Sequence, residues 1–255
     1  YAGLLAGLIA FVCNWDQTPG HLSALGAAFN SPGRWHEAMV NPLWNLLGIA
    51  LASFVIMLVG LMDDVRDISP RKKLLGQFAA AGLLLLAGVG DRMANVLFVM
   101  LPWQPPMVLL VIVSAFMCIV LVICTCNATN LLDGLDGLAG GVTGIIAIGF
   151  LSLAVWMAMW AQFPASDAVR LSLCLAMVGA VLGFLPYNIP PASIFMGDAG
   201  SMLLGFFVAT MMAMFCTEGS PRWLLAAMVV FALPIFDTSL AVVRRLLSGK
   251  PIFSG

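Results

Sequence analysis

The chain has 255 residues, of which 62% are hydrophobic and only 9% charged, with a mean hydropathy of +1.06. A soluble domain carries about 25% charged residues, so this composition cannot build a water-exposed surface; an ordinary soluble enzyme and a disordered chain are both excluded. A net charge of −1 leaves no basic field to gather polyanions, which excludes a nucleic-acid binder.

Apolar runs of about 17–25 residues read as membrane helices. In chain order these are a short run at 3–12, then 43–62, 74–90, 107–126, 138–161, 169–187, 201–216 and 223–243. None shows the alternation of a membrane β-barrel strand. The expected fold class is all-α, a polytopic membrane protein of about eight spans forming a single integral-membrane domain over 1–255. The chain begins with Tyr1 rather than Met and stops at Gly255 right after a span, so both ends read as cut. The first run lacks the basic flank and small-residue cleavage site of a signal peptide.

Alternating the spans puts 63–73, 127–137, 188–200 and 244–255 on one face, and 13–42, 91–106, 162–168 and 217–222 on the other. The first face carries Arg66, Arg71, Lys72, Lys73, Arg244, Arg245 and Lys250, against Arg34, Arg92, Arg170 and Arg222 on the second. The positive-inside rule makes the first face cytoplasmic. The acids are more lopsided. Asp63, Asp64, Asp67, Asp133, Asp136 and Asp198 lie on the first face, and Asp237 lies inside the last span nearer to it. Asp16, Glu37, Asp91, Asp167 and Glu218 are scattered on the other side and read as isolated. Carboxylates crowded beside lipid repel one another and lose hydration, so a cation is expected among them. Asp and Asn side chains suit a hard, oxygen-seeking metal such as Mg²⁺.

Three segments concentrate this chemistry. In Asp63-Asp64-Val-Arg66-Asp67 the acids fall at i, i+1 and i+4 of a helix end, with Arg71, Lys72 and Lys73 following to attract phosphate. In Asn127-Ala-Thr-Asn130-Leu-Leu-Asp133-Gly134-Leu-Asp136-Gly137 the polar groups recur at i, i+3 and i+6, one stripe at a membrane edge followed by glycines that admit close backbone approach. In Phe195-Met-Gly197-Asp198-Ala-Gly200-Ser201 one acid opens a span, where backbone donors of the helix start suit anionic oxygens; a simple N-cap is the plainer alternative. Asp237 reads either as functional or as a hydrogen-bond partner between helices. The six cysteines have no paired metal-site spacing and read as packing. His21 and His36, near Trp15 and Trp35, read as part of an interfacial loop. No nucleotide-binding glycine motif is present.

These three motifs, in this order, resemble the polyprenyl-phosphate N-acetylhexosamine-1-phosphate transferases, a glycosyltransferase superfamily of the family 4 type that starts bacterial cell-envelope glycans; the resemblance runs from about residue 43 to the end. The segment Ile68-Ser-Pro-Arg-Lys-Lys73-Leu-Leu-Gly-Gln77 looks more like the branch that uses N-acetylglucosamine, since the branch making the first lipid intermediate of peptidoglycan usually has Lys where Asp67 stands. Family members have ten or eleven membrane helices. They also carry a His-rich cytoplasmic loop after a segment like 244–254, and a Gly-Gly segment near the N-terminus, neither of which is found here.

The resemblance implies attack by a polyprenyl phosphate on the β-phosphorus of a UDP-sugar, releasing UMP. It implies that Asp198 and Asn130 hold Mg²⁺, with Mn²⁺ as an alternative. Asp63 and Asp64 would position the lipid phosphate or take its proton, and Lys73 would clamp the diphosphate. Asn127, Asp133, Asp136, Asp67 and Gly197 would complete the substrate pocket. It further implies the bacterial inner (cytoplasmic) membrane, an active site on the cytoplasmic face, the lipid bilayer as environment, and a homodimer as one admissible assembly. A lipid phosphate with a second pKa of about 6 is already largely dianionic at neutral pH, which favours positioning over base catalysis. Two alternatives remain at this point: a membrane prenyltransferase using Asp-rich Mg²⁺–diphosphate motifs, and a cation transporter with a carboxylate relay.

Overall fold

Proline opens four of the helices, at Pro42, Pro70, Pro164 and Pro221, where its missing N–H is one that no helix could satisfy internally. The computed structural model describes residues 41–99, 105–160, 164–216, 221–232, 234–237 and 240. In chain order the elements are α1 (Pro42–Arg66), α2 (Pro70–Leu86), α3 (Met93–Phe98), α4 (Met107–Leu132), α5 (Leu138–Trp160), α6 (Pro164–Asn188), α7 (Gly197–Cys216) and α8 (Pro221–Val230). Among the described residues there is no strand. The expected run at 3–12, His21, His36, Trp15, Trp35, Cys13 and the basic residues beyond 240 lie outside the described residues.

Among the described residues, five helices are long and apolar enough to cross a membrane: α1, α4, α7, Leu138–Met159 of α5 and Asp167–Asn188 of α6. This is the all-α, multi-pass architecture the composition demands. The expected span at 74–90 is displaced. Its helix starts at Pro70 and ends at Leu86, because Gly88 and Gly90 take positive φ values of 78° and 88° and turn the chain. The carbonyls left open at that end are met from α1, by Trp44 Nε1 on Leu86 O at 2.9 Å and by Asn45 Nδ2 on Ala87 O. The loop expected over 91–106 contains the short α3.

α7 is the central helix. Its side chains are buried almost continuously from Ser201 to Cys216, with α1 and α4 packed along it and α5 paired with α6 beside them. Glycine sets two of these approaches. A Cβ on Gly60 of α1 would lie 2.6 Å from Asp198 O, and one on Gly205 of α7 would strike Thr129 and Cys126 of α4. Small residues at such crossings bring membrane helices close enough for polar contacts between them; Thr129 Oγ1 donates to Ser201 O at 2.9 Å. The large side chains left exposed, such as Leu47, Leu51 and Phe54 on α1 and Val108, Ile112 and Phe116 on α4, face outward, where hydrocarbon is their solvent.

Asp167 is not isolated, contrary to the expectation above. Its Oδ1 accepts from Arg170 Nη1 at 2.7 Å, one helical turn away on α6. Arg170 also donates Nη2 to Met214 O at 3.0 Å and sits 5.8 Å from the Phe215 ring centroid. Charge cannot be sunk between helices unpaired, so the acid and the base of this end came inward together. Asp91 likewise has Arg92 at 3.8 Å.

Candidate active site

α1 carries its acids on its last turn. The helix ends at Arg66, and Asp67 takes a left-handed φ of 48° while its N–H reaches back to Asp63 O. Asp tolerates that conformation better than most side chains. Ser69, preceding Pro70, is extended, as a residue before proline must be. Only three residues therefore separate α1 from α2, and Lys73 stands on the first turn of α2, facing back toward Asp63.

Neighbours in sequence on a helix point in different directions, and the paired acids part accordingly. Asp63 Oδ2 lies 2.5 Å from Lys73 Nζ, while its Oδ1 accepts from Ile68 N at 3.0 Å. Asp64 turns to α7: its two oxygens accept from Asp198 N at 2.8 Å and Ala199 N at 3.0 Å. The first-turn donors of α7, expected to be open to a ligand's anionic oxygens, are thus capped by a carboxylate from another helix. Gly197 belongs to this contact as well. It has a φ of +65°, and a Cβ there would come within 2.8 Å of Asp64 Oδ2.

The three sequence segments meet at Asp198. Lys73 Nζ lies 2.5 Å from Asp198 Oδ2, the same distance as from Asp63. Asn130 Nδ2 donates to Asp198 Oδ1 at 2.7 Å and to Ser201 Oγ at 3.0 Å. One ammonium thus bridges carboxylates from α1 and α7, and α4 closes the other side. Burial alone would lower the Lys73 pKa, but its hydrogen bonds to Asp198 and Asp63 outweigh that and raise it, so the group stays charged. Asp133, at the C-cap of α4, is half-buried; burial first, then the charges of Asp198 and Asp64, push it up to about 6.

The turn that carries Asp133 is tied to the 188–196 connection. Asn188 Oδ1 accepts from Gly137 N at 3.0 Å, and Asp136 Oδ2 accepts from Ala192 N at 3.3 Å. Asp136 is therefore in part a loop latch. Asp67 and Asp237 are exposed, and among the described residues neither side chain hydrogen-bonds to this cluster. Asn127 lies a turn deeper than Asn130, donating Nδ2 to Gln77 Oε1 at 3.1 Å and to Ile123 O at 2.7 Å. Gln77 and Ser201 were not singled out from the sequence. The signal for Gln77 was its i+4 spacing from Lys73, which puts both on one face of α2. Cys118, Cys126, Cys174 and Cys216 are buried, as packing residues should be, whereas Cys124 is exposed.

Among the described residues no three His, Cys, Asp or Glu side chains form a set that could hold a metal. The oxygen groups that do converge are the carboxylates of Asp198 and Asp63, with Lys73 between them; Asn130 turns its Nδ2 to Asp198, so its Oδ1 is the oxygen it would offer a metal. Two carboxylates and a carboxamide oxygen are hard ligands of the kind Mg²⁺ would take, its shell completed by water and substrate phosphate.

Comparison with known proteins covers the same stretch of chain. The family described as Glycosyl transferase family 4 matches residues 46–216, the stretch that contains every contact of the cluster. The chain is 32% identical over 213 residues to a probable undecaprenyl-phosphate N-acetylglucosaminyl 1-phosphate transferase of Bacillus subtilis, covering 81% of this chain and 54% of that one. It is 33% identical over 222 residues to a decaprenyl-phosphate N-acetylglucosaminephosphotransferase of Mycobacterium tuberculosis, covering 81% and 53%. A phospho-N-acetylmuramoyl-pentapeptide-transferase of Synechococcus is 37% identical over 169 residues, covering 63% and 45%. The chain spans about half the length of the curated relatives it matches. It is a multi-pass membrane protein that belongs to glycosyl transferase family 4.

Proposed function

We propose that the protein transfers an N-acetylhexosamine-1-phosphate, most specifically N-acetylglucosamine-1-phosphate, from a UDP-sugar to a polyprenyl phosphate. The products are a polyprenyl-diphospho-sugar and UMP, the reaction lies at the cytoplasmic face of a bacterial inner membrane, and it serves cell-envelope glycan synthesis. The observation that carries this reading is the Lys73 bridge between Asp63 and Asp198, with Asn130 on the far side of Asp198. Carboxylates on α1 and α7 and a cation on α2 at the end of the bundle suit a diphosphate presented at a membrane edge. The names of the relatives supply the polyprenyl phosphate and the sugar. The acids stand at helix ends rather than at mid-span, which speaks against a transporter, and family 4 membership speaks against a prenyltransferase.

Asp198 and Asn130 are the residues that would hold Mg²⁺, with Mn²⁺ as a substitute. When bound, the metal supplies charge neutralisation on the diphosphate. Lys73 clamps the same diphosphate, exchanging one of its carboxylate contacts for a phosphate oxygen. Asp63 orients the attacking lipid phosphate, which is already largely dianionic because its second pKa is about 6. Asp64 acts by holding the start of α7, and hence Asp198, in register with α1. Asp133 and Asp136, carried by the latched turn, border the nucleotide. The full-length gene product, given a panel of radiolabelled UDP-sugars and undecaprenyl phosphate, is expected to form labelled lipid with stoichiometric UMP from UDP-N-acetylglucosamine. No transfer from any UDP-sugar would overturn the reading.

A further inference from the structure

Below the Lys73–Asp198–Asn130 contact runs a second, partly buried one. Lys73 and Gln77 are i and i+4 on α2; Asn127 and Asn130 are i and i+3 on α4. Spacings of three and four place side chains on one helix face, so the Gln77–Asn127 bond joins the same two helix faces as the Lys73–Asp198–Asn130 cluster, one turn deeper. Gln77 is only 1% exposed, and a carboxamide that deep is costly unless its hydrogen bonds are used.

The bond has a definite sense. Asn127 Nδ2 meets two acceptors, Ile123 O at 2.7 Å and Gln77 Oε1 at 3.1 Å. A backbone carbonyl can only accept, so the Ile123 contact decides which way the Asn127 amide is turned. Both of its hydrogens are then spent, and among the described residues Asn127 Oδ1 is left with no protein partner. Among the same residues Gln77 Nε2 has no hydrogen-bond partner either. Gln77 is therefore held in place for its oxygen, and what that oxygen does is hold Asn127.

We infer that Gln77 is a positioning residue that locks the Asn127 carboxamide with its Oδ1 presented to a hydrogen-bond donor of the sugar nucleotide. This rests on the reaction proposed above and adds the device that orients one of its binding groups.

The test uses the full-length protein with UDP-N-acetylglucosamine and undecaprenyl phosphate, reading kcat and KM separately. Gln77→Met keeps the shape and removes the acceptor; it is expected to raise the KM for the sugar nucleotide about tenfold with kcat within about twofold. Gln77→Glu, kept neutral by burial, retains a carbonyl acceptor without adding a charge and is expected to stay within about threefold of the wild-type KM. In an Asn127→Ala background, Gln77→Met should add less than about twofold, because its only route of action is already gone. Full multiplication of the two effects, or a loss confined to kcat, overturns the inference. Should Gln77→Met not accumulate as folded protein, Gln77→Glu decides: a tenfold rise in KM with the acceptor retained overturns it. A wild-type chain that turns over no UDP-sugar overturns the reaction and this inference with it; an active wild type with an unchanged Gln77→Met overturns the inference alone.

Discussion

α7 is held at both ends by charged side chains from neighbouring helices, and the two ends are built differently. At its start, Asp64 of α1 accepts from the first backbone donors, beside Lys73, Asp63 and Asp198. At its finish, Arg170 of α6 donates to Met214 O and pairs with Asp167. Both arrangements suit the helix dipole, an anion at the N-terminus and a cation at the C-terminus. Solvent and charge separate them. The Arg170 and Asp167 side chains are 0% and 6% exposed and pair with each other. Lys73, Asp63 and Asp198 are 19%, 11% and 28% exposed, one cation shared by two acids, with Asp133 and Asp64 near enough to be felt. A closed, buried pair locks helices together. An open cluster rich in carboxylates is the arrangement that would suit the further cation and phosphate proposed above.

Four predictions test that contrast. The largest effect on chemistry is expected from Asp198→Ala, which removes the carboxylate where α2, α4 and α7 meet; UMP release should fall by at least about a thousandfold. Near-normal turnover in that variant would sink the metal assignment. The largest effect on stability is expected at the other end. Arg170→Met removes the buried cation that Asp167 pairs with, at a cost of about 3–5 kcal/mol, seen as a lowered melting temperature in detergent. Adding Asp167→Leu should recover most of it, and a double variant as unstable as the single one contradicts the pairing.

Asp64→Asn is intermediate. It keeps one acceptor oxygen where two backbone donors need meeting, so stability should drop by about 1 kcal/mol, with turnover falling as Asp198 loses register. A variant with unchanged stability and unchanged kcat would mean the cap does not position Asp198.

The smallest effect is the pH dependence of Asp133. Its pKa is raised from 3.8 to about 6 in the folded protein, so the folded state binds the extra proton between those values. The stability this group contributes is fully present below pH 3.8 and is lost as pH rises through 6. Asp133→Asn should therefore gain melting temperature relative to wild type as pH rises, the gap widening between about pH 4 and pH 6 and levelling off above that. A gap that is flat with pH, or that closes as pH rises, contradicts the shift.

Much of this was legible along the chain. The apolar runs located α1, α4, α5, α6 and α7, because about 20 residues without charge leave a membrane span as the natural outcome. Asp63, Asp198, Asn130 and Lys73 were legible as a group, because charge at a lipid boundary is costly unless it is used. Other assignments changed in three dimensions. Asp63 and Asp64 read as facing one ligand but diverge to different helices. Asp167 read as isolated but is paired with Arg170. Gln77, an uncharged residue inside an apolar run, carried no signal stronger than its distance from Lys73.

Sequence alone determined that the chain lies in a membrane as a helical bundle and that its acids gather at one face, since transfer free energy and charge placement depend on composition and order. Only the tertiary structure decided which acid meets which partner. Those pairings depend on the close crossings at Gly60 and Gly205, which set where α1 and α4 touch α7 and so which oxygen comes within hydrogen-bond reach of Lys73, of Asn130 and of the first donors of α7.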